Sequence, residues 1–150
     1  MNKKNRFGWT ALILMSAYFL TSMAFSVGET RESQALNLYP IGKVAKEKGR
    51  TFIVLDPKYA PGLMGLDRFS HVTVLYWFDR NDTPQKRAIL QVHPRGNPKN
   101  PLRGVFATHS PVRPNLIGVS RCRIISVQEN VIEVEGIDAF DGSPVIDLKN

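Results

Sequence analysis

Short runs of β-forming residues, separated by turn residues, recur along most of this 150-residue chain. Val, Ile, Thr and aromatic residues dominate the runs, and Gly, Pro, Asn and Asp lie between them, as in strands joined by tight turns. A short turn near Pro61–Phe69 is the one helix candidate. Because short strands bury a core by stacking two sheets or by closing one, the pattern predicts a mainly β, single-domain antiparallel sandwich or barrel. The predicted strands are Ile41–Val44, Thr51–Leu55, His71–Phe78, Ala88–His93, Val105–Thr108, Ile117–Val127, Val131–Glu135 and Val145–Leu148.

The run Val72–Phe78 is apolar on both faces of its predicted strand. An antiparallel sheet commonly exposes one face to water, so the second face of this strand needs a cover. Burial beneath the Pro61–Phe69 turn is one solution. A subunit interface is the other, because Tyr76, Trp77 and Phe78 are residue types that anchor interfaces.

The N-terminus has the three-part pattern of a secretory signal. Basic residues at Lys3, Lys4 and Arg6 precede an apolar run over residues 11–25, and small residues follow at plausible cleavage positions. We therefore expect residues 1–26 to be a signal peptide or a membrane anchor in transient or lasting contact with a membrane, and residues 27–37 to be a linker. The predicted location is exported or periplasmic, or membrane-anchored, or cytoplasmic if translation starts at Met23.

The charge composition is compatible with several classes of binding partner and selects none of them. The formal net charge is +7, and omitting the three basic residues of the leading segment leaves +4. Such an excess is compatible with nucleic acid or another polyanion. The single cysteine, Cys122, excludes an intramolecular disulfide and is predicted to be buried and inert. The three histidines lack metal-ligand spacing, so no metal site is predicted.

The segment Gly104–Gly118, GVFATHSPVRPNLIG, carries convergent polar groups on a stiff backbone. Pro111 and Pro114 fix their own φ angles and restrict the residues before them. Thr108, Ser110, Arg113 and Asn115 are thereby presented from a rigid loop, which is how small-molecule sites are commonly built.

The same segment resembles the signature GVFATRSPxRPNPIG of the TsaA-like (TrmO-type) family of S-adenosylmethionine-dependent tRNA methyltransferases. Four further segments resemble family motifs in the same order, so that the similarity covers residues 38–149. These segments are Tyr39–Val44, Gly65–Phe78, His93–Pro98 and Asp138–Lys149. The resemblance implies a TsaA-like β-barrel over residues 38–150, S-adenosylmethionine as cofactor, and a homodimer.

The resemblance also implies which residues approach the cofactor. Two segments are expected to meet at the pocket, one from the Gly104–Gly118 loop and one from the DGSP run. The expected cofactor-binding residues are Phe106, Ala107, Thr108, His109, Ser110, Arg113, Pro114, Asn115, Asp141, Gly142, Ser143 and Pro144. Within this set Arg113 is expected to hold the methionine carboxylate as a fork, and the Phe106 ring to face the sulfonium.

The family methylates N6 of threonylcarbamoyladenosine beside the tRNA anticodon, and removing the proton from that nitrogen calls for a base. Asp138, Asp141 and His71 are candidates, and the two aspartates have turn capping as an alternative role. The catalytic residue stays unassigned. The basic residues that could contact RNA phosphates are Arg95, Lys99, Arg103, Arg121 and Arg123.

The chain departs from the signature at His109, where the family motif has arginine, and at Leu116, where it has proline. A mostly neutral imidazole replaces a permanent cation, which predicts weaker binding of an anionic group. Two functions therefore stand side by side. One is a TrmO-type methyltransferase acting on tRNA in the cytoplasm, and the other is an exported module that binds S-adenosylmethionine or a nucleotide without methylating tRNA.

Overall fold

Six antiparallel strands close into a barrel in the computed structural model, which describes residues 35–150. The barrel order is β1-β2-β7-β6-β3-β8, and β4 pairs with β5 in a separate two-stranded sheet. The strands are β1 Gly42–Glu47, β2 Arg50–Leu55, β3 His71–Trp77, β4 Gln91–Val92, β5 Arg103–Gly104, β6 Ile117–Gln128, β7 Val131–Glu135 and β8 Pro144–Lys149. The mainly β prediction is confirmed, and of its two alternatives the barrel is the one observed.

The barrel interior is filled by alternate residues of each strand. Val44, Ile53, Val74, Ile132 and Val145 are each 0% exposed and belong to one core cluster. Full burial of such a side chain contributes about 1.5–3 kcal/mol to the free energy of unfolding. The period-two burial fixes the register of the strands, because a one-residue slip would turn the apolar set outward.

Two of the predicted strands differ in the structure. Residues 105–108 were expected to be extended, but Val105–Ala107 form a 3-10 turn. Of the predicted strand Ala88–His93, only Gln91–Val92 pairs, and its partner is Arg103–Gly104 rather than the barrel. Both segments lie in a connection between two barrel strands, where the closed barrel leaves no neighbour free to extend their pairing.

The predicted helical turn near Pro61–Phe69 is a pair of 3-10 helices, Pro57–Leu63 and Leu66–Arg68. Leu63 is 6% exposed and joins the core cluster. The α-helix of the described residues, α1, lies elsewhere, at Pro84–Arg87. Its first turn is capped by the Thr83 side chain, which accepts from the Lys86 amide at 3.3 Å. In residues 35–150 no helix is long and apolar enough to span a membrane.

The outer face of β3 is half-buried rather than open. Trp77 donates from Nε1 to Asp82 at 3.2 Å, and the Arg87 guanidinium lies 5.3 Å from the centre of its ring. The cover over Trp77 therefore comes from residues that follow the strand, and not from the predicted Pro61–Phe69 turn. The subunit interface and homodimer stay predictions. The predicted signal or anchor, 1–26, and residues 27–34 of the predicted linker lie outside the described residues.

Candidate functional site

The Gly104–Gly118 loop is held in shape by its own arginine. Arg113 Nη2 donates to the carbonyl oxygens of Val105 at 2.7 Å and Thr108 at 2.8 Å. These two carbonyls bracket the 3-10 turn Val105–Ala107, so one guanidinium ties both ends of the turn. Nε of the same side chain is buried without a hydrogen-bond partner among residues 35–150. Of the fork expected to grip a carboxylate, Nη2 is committed to the loop, and Nη1 and Nε make no hydrogen bond within residues 35–150.

Hydroxyl groups stiffen the rest of this loop. Thr108 Oγ1 donates to the Val105 carbonyl at 3.1 Å and accepts from the Ser110 amide at 3.2 Å. The Val112 amide donates in turn to Ser110 Oγ at 3.4 Å. Arg87 Nη1 donates to the Pro114 carbonyl at 2.9 Å, which fastens the loop to α1. Ser110 and Pro114 thus act on the loop itself and do not line the cleft beside it.

A cleft of about 550 Å³ opens between this loop and the ends of β3 and β6. Five residues that the sequence singled out line one wall: Phe106, Ala107, Thr108, His109 and Arg113. The floor and the opposite wall consist of Tyr76, Phe78, Ile117, Gly118, Val119, Ser120 and Asp138, and of these only Asp138 was predicted from the sequence as a site residue. A volume of this size is within the range of about 300–1,000 Å³ that holds small molecules.

Gly118 makes this floor possible. A Cβ atom at position 118 would lie 2.5 Å from Tyr76 Cε2 and 2.9 Å from Phe78 Cζ. The two rings pack edge to face, 5.4 Å between centroids, directly against the glycine. The sequence did contain a signal for these residues. Gly118 ends the loop motif, and Tyr76 and Phe78 lie at the end of β3 and just after it. Only the pairing of Tyr76 with Gly118 joins them.

A side cavity of about 150 Å³ adjoins the cleft, and Tyr76, Phe78, His109 and Asp138 line both spaces. Ser143 lines the side cavity and is 3% exposed, so the DGSP run does approach the Gly104–Gly118 loop. The two motif segments meet at one end of the barrel, as expected from the resemblance.

The remaining members of the DGSP run shape the turn that enters β8. Asp141 Oδ1 accepts from the Lys46 amide at 2.8 Å, which is a capping role. Gly142 has a φ of 82°, a left-handed conformation that favours glycine, and its amide donates to the Val44 carbonyl. Neither of these residues, nor Pro144 or Asn115, lines the cleft or its side cavity.

The three candidate bases are separated by the fold. Asp138 lies at the junction of the cleft and its side cavity, while the Asp141 carboxylate is engaged by the β1 backbone. His71 begins β3 and Tyr76 lies near its end, so His71 is about 17 Å away along the strand at 3.4 Å per residue. Of the three, only Asp138 borders the space that a reacting group would occupy.

Two hydrogen bonds hold the backbone of Asp138. Its carbonyl accepts from the Tyr76 hydroxyl at 2.7 Å, and its amide donates to Ser120 Oγ at 3.4 Å. Burial raises the pKa of the Tyr76 hydroxyl, so that hydroxyl stays protonated as a donor. These contacts fix the backbone of a residue that lines both cavities, and neither of them involves its carboxylate.

Cys122 is buried in the barrel interior, as predicted. Burial raises the pKa of its thiol to about 11, so little thiolate forms near neutral pH. A nucleophilic role at the site is excluded by this position. Within residues 35–150 no group of three or more His, Cys, Asp or Glu residues is arranged to hold a metal.

Another cavity, of about 640 Å³, lies at the Lys149 end of β8 beneath the two 3-10 helices. Although it is larger than the cleft, its lining is mostly apolar, with Leu55, Leu63, Leu66 and Leu148 among its residues, and its charged residues are Arg68, Asp147 and Lys149. It lacks the Gly104–Gly118 and DGSP segments. We therefore assign the candidate site to the cleft at the other end of β8, where polar groups from both segments converge.

The chain is similar in sequence to one known protein family and to proteins of archaea and mammals. The model of one protein family, described as the tRNA-methyltransferase O N-terminal domain (TrmO_N), matches residues 33–150. A probable S-adenosyl-L-methionine-binding protein of Methanocaldococcus jannaschii is 45% identical over 112 residues, which cover 75% of this chain and 89% of the relative. The tRNA (adenine(37)-N6)-methyltransferase of Mus musculus is 39% identical over 102 residues, or 68% of this chain and 22% of the mouse protein.

Solved structures agree with the barrel. A crystal structure of TrmO superposes with a TM-score of 0.58 at 31% identity, covering 77% of this chain and 56% of that one. TrmO from Pseudomonas aeruginosa gives a TM-score of 0.57 at 30% identity, covering 77% and 54%. This chain thus spans about half the length of the solved TrmO chains and most of the length of the archaeal relative. The family match over most of the chain, the barrel and the converging motifs together show that this protein belongs to the family of the tRNA-methyltransferase O N-terminal domain.

Proposed function

We propose that this protein binds S-adenosylmethionine in the cleft beside the Gly104–Gly118 loop and is a methyltransferase. The observation that carries the proposal is the convergence of that loop and the DGSP run at one end of the barrel. The names of the archaeal relatives support the ligand, and the family match supports the reaction class.

The residues of the cleft fit such a ligand. The cleft offers an apolar floor of Tyr76 and Phe78, the exposed ring of Phe106, and polar groups at Thr108 and Arg113. Arg113 Nη1 is free of the contacts that hold Nη2, and a ligand carboxylate is a suitable acceptor for it. The Asp138 carboxylate on the opposite wall suits the positive sulfonium side of the molecule.

Bound S-adenosylmethionine would supply an electrophilic methyl group, whose bond to sulfur would break as its bond to the acceptor nitrogen forms, with S-adenosylhomocysteine as the leaving group. The tasks left to the protein are orientation of the acceptor, exclusion of water and handling of one proton. In this proposal the acceptor nitrogen loses its proton to the Asp138 carboxylate as the new nitrogen–carbon bond forms. Tyr76 and Ser120 keep Asp138 in place through its backbone, and the tied loop closes one wall against water.

For the acceptor we propose a tRNA adenosine modified at N6 by a threonylcarbamoyl group. The support is the family resemblance together with the similarity to the mouse tRNA (adenine(37)-N6)-methyltransferase. This chain covers 22% of that protein. The acceptor therefore rests on the shared domain and its motifs, and the exported module that binds without methylating tRNA is the less favoured alternative.

Isothermal titration calorimetry of the full chain with S-adenosylmethionine tests the proposal. We expect a dissociation constant in the range of about 1 µM to 1 mM that is usual for enzyme ligands. His109→Arg restores the cation of the family signature at the point where the cleft meets its side cavity, and we expect it to tighten binding.

Absence of binding by both the wild-type protein and the His109→Arg variant, each shown to be folded by circular dichroism, would contradict the cofactor assignment. Binding without transfer of a radioactive methyl group to tRNA that carries the modified adenosine would leave the cleft as a binding site. It would also overturn the reaction.

A further inference from the structure

The side cavity of about 150 Å³ has a wall that the proposed binding of the cofactor does not use. The 3-10 turn Asp79–Asn81, which follows β3, contributes all three of its residues to this wall, and Phe140 lies across from them in the lining. The cavity is smaller than the range of about 300–1,000 Å³ that holds a whole small molecule. It therefore suits a branch of a ligand whose main body lies in the adjoining cleft.

Arg80 supplies a permanent cation to this cavity. Its guanidinium carbon lies 4.2 Å from the centre of the Phe140 ring, and its Nη2 donates to the Asp141 carbonyl at 3.4 Å. Both partners are neutral groups, and Arg80 makes no ion pair with any residue of 35–150. The positive charge of Arg80 is therefore available to a ligand.

The five basic residues that the sequence analysis associated with RNA phosphates do not line this cavity: Arg95, Lys99, Arg103, Arg121 and Arg123. Arg80 thus belongs to a separate set.

The backbone that carries Arg80 is fixed to α1. Lys86 Nζ donates to the Arg80 carbonyl at 3.0 Å and to Asn81 Oδ1 at 2.9 Å. The Asn81 amide also donates to the Phe78 carbonyl at 2.9 Å. The turn is anchored at its backbone and the guanidinium at its tip, so little freedom has to be lost when a ligand binds.

The side cavity adjoins the place where the proposed methyl transfer occurs. Asp138, the proposed base, lines both the cleft and the side cavity. In the proposed acceptor the threonylcarbamoyl arm begins at the nitrogen that gives its proton to Asp138. The carboxylate of that arm lies only a few bonds beyond the nitrogen. An adenine in the cleft with its N6 beside Asp138 therefore has the side cavity next to its arm.

The chemistry of the lining matches an arm of this kind. Asp79 and Asp138 place two carboxylates in the cavity beside the Arg80 cation. A branch with negative charge alone would be repelled by these aspartates. The threonyl arm has a carboxylate that Arg80 can bind, and a hydroxyl and an N–H that can donate to the aspartates. Ala139 and Phe140 offer apolar surface for its methyl group.

We propose that the side cavity holds the threonyl arm of the acceptor and that Arg80 binds its carboxylate. A guanidinium and a carboxylate form two parallel hydrogen bonds, which are strong and directional. A site built for such a group discriminates against an acceptor that lacks it. Arg80 is thereby the residue that selects the modified adenosine. The inference rests on the proposed function for the identity of the acceptor, but it concerns a residue and a cavity outside the cofactor site.

The test compares two tRNA substrates that differ only at this carboxylate. One carries threonylcarbamoyladenosine, and in the other the same carboxylate has been converted to a methylamide. Methyl transfer by the full chain is measured for the wild type, Arg80→Gln, Arg80→Lys and the control Arg68→Gln. Arg68 is an exposed arginine that lines the larger cavity at the other end of β8. Calorimetry with S-adenosylmethionine and circular dichroism are run on all four proteins.

We expect Arg80→Gln to lower kcat/KM by at least about tenfold for the carboxylate substrate and by no more than about twofold for the methylamide. The wild type should prefer the carboxylate substrate by a similar factor. Arg80→Lys should lie between the two, because it keeps the charge but loses the planar fork. Arg68→Gln should match the wild type, and affinity for S-adenosylmethionine should be the same in all four proteins.

Equal losses by Arg80→Gln on both substrates would overturn the inference, because Arg80 would then act only on the fold. A wild type that methylates both substrates equally well would overturn it too.

Failure of the proposed reaction is distinguished by a binding measurement. Saturation-transfer NMR with the nucleoside N6-threonylcarbamoyladenosine is recorded in the presence of S-adenosylhomocysteine. If the wild type transfers no methyl group but binds this nucleoside, and Arg80→Gln does not, the cavity assignment stands and the reaction is removed. A wild type that binds S-adenosylmethionine but neither methylates the tRNA nor binds the nucleoside overturns the inference and leaves the cofactor site in place.

Discussion

Gly118 shows how one missing side chain shapes a site. The Tyr76 and Phe78 rings occupy the space that a Cβ at this position would need, and the Tyr76 hydroxyl fixes the backbone of Asp138. A side chain at position 118 would act on the floor of the cleft and on the candidate base together. The residue thus links the loop motif to the chemistry by leaving room for the two rings.

We predict that Gly118→Ala destabilises the protein by about 1–3 kcal/mol, as overpacking of a filled site does. Because both rings line the cleft, affinity for S-adenosylmethionine should fall as well. Gly62→Ala is the matched control, since a Cβ there meets nothing within 4 Å and we expect a change of no more than about 1 kcal/mol. Urea unfolding and calorimetry check both, and equal effects of the two substitutions would disprove the role of Gly118.

At the scale of elements, the Gly104–Gly118 loop behaves as a unit held by Arg113. The sequence indicated a rigid polar loop from its prolines, and the structure adds a guanidinium that closes the 3-10 turn Val105–Ala107 on itself. Removing that tie would release the wall of the cleft while leaving the barrel strands in place.

We predict that Arg113→Lys and Arg113→Gln both lower affinity for S-adenosylmethionine by tenfold or more. The expected loss in the free energy of unfolding is about 1–3 kcal/mol, because hydrogen bonds from a charged donor to two carbonyls disappear. A lysine keeps the charge but cannot reproduce the planar fork. If Arg113→Lys retained wild-type affinity, the positive charge of Arg113 would be what the ligand requires, and not the two hydrogen bonds that hold the loop. Calorimetry and thermal melts of both variants make the distinction.

Prediction of the elements succeeded where local pattern and final pairing agreed. The alternation of Ile132 and Val134 predicts an inward face on β7, and both are buried. It failed at residues 105–108, where the residues suit a strand but have no barrel neighbour, and where Arg113 and Thr108 hydrogen-bond a turn instead. A side-chain tie eight residues away cannot be recognised from a local run.

At the scale of the whole molecule, two carboxylates link stability to pH. The hydrogen bond from Arg50, at 2.6 Å across β2 and β7, lowers the pKa of Glu133, and the hydrogen bond from Arg87 lowers the pKa of Asp82. A depressed pKa in the folded state stabilises the protein above the pKa of the unfolded chain, near 4. That stabilisation is lost as the pH falls through the folded value.

We therefore predict that the melting temperature falls as the pH is lowered from about 5 to about 3. Glu133→Gln should reduce the fall in melting temperature over this pH range, because the residue that faces Arg50 no longer titrates. Glu129→Gln, at a turn residue without an ion-pair partner among residues 35–150, is the control and should follow the wild-type profile. A parallel profile for Glu133→Gln would show that the pair contributes nothing to acid stability. Differential scanning calorimetry over this pH range makes the measurement.

The β-rich class, the burial of Cys122, the family resemblance and the two segments that approach the site could all be predicted from the sequence. These follow from local patterns, since alternation, turn residues and motifs are properties of neighbouring residues. The local pattern left sandwich and barrel open and the resemblance implied the barrel, whereas the contact of Tyr76 with Gly118 appears only in the folded protein. The structure also places Asp138 at the cleft and His71 far along β3, and four of the five predicted basic residues make no ion pair within residues 35–150. Strand pairing across long separations brings these residues together or apart, and pairing depends on closure of the whole sheet rather than on any single run.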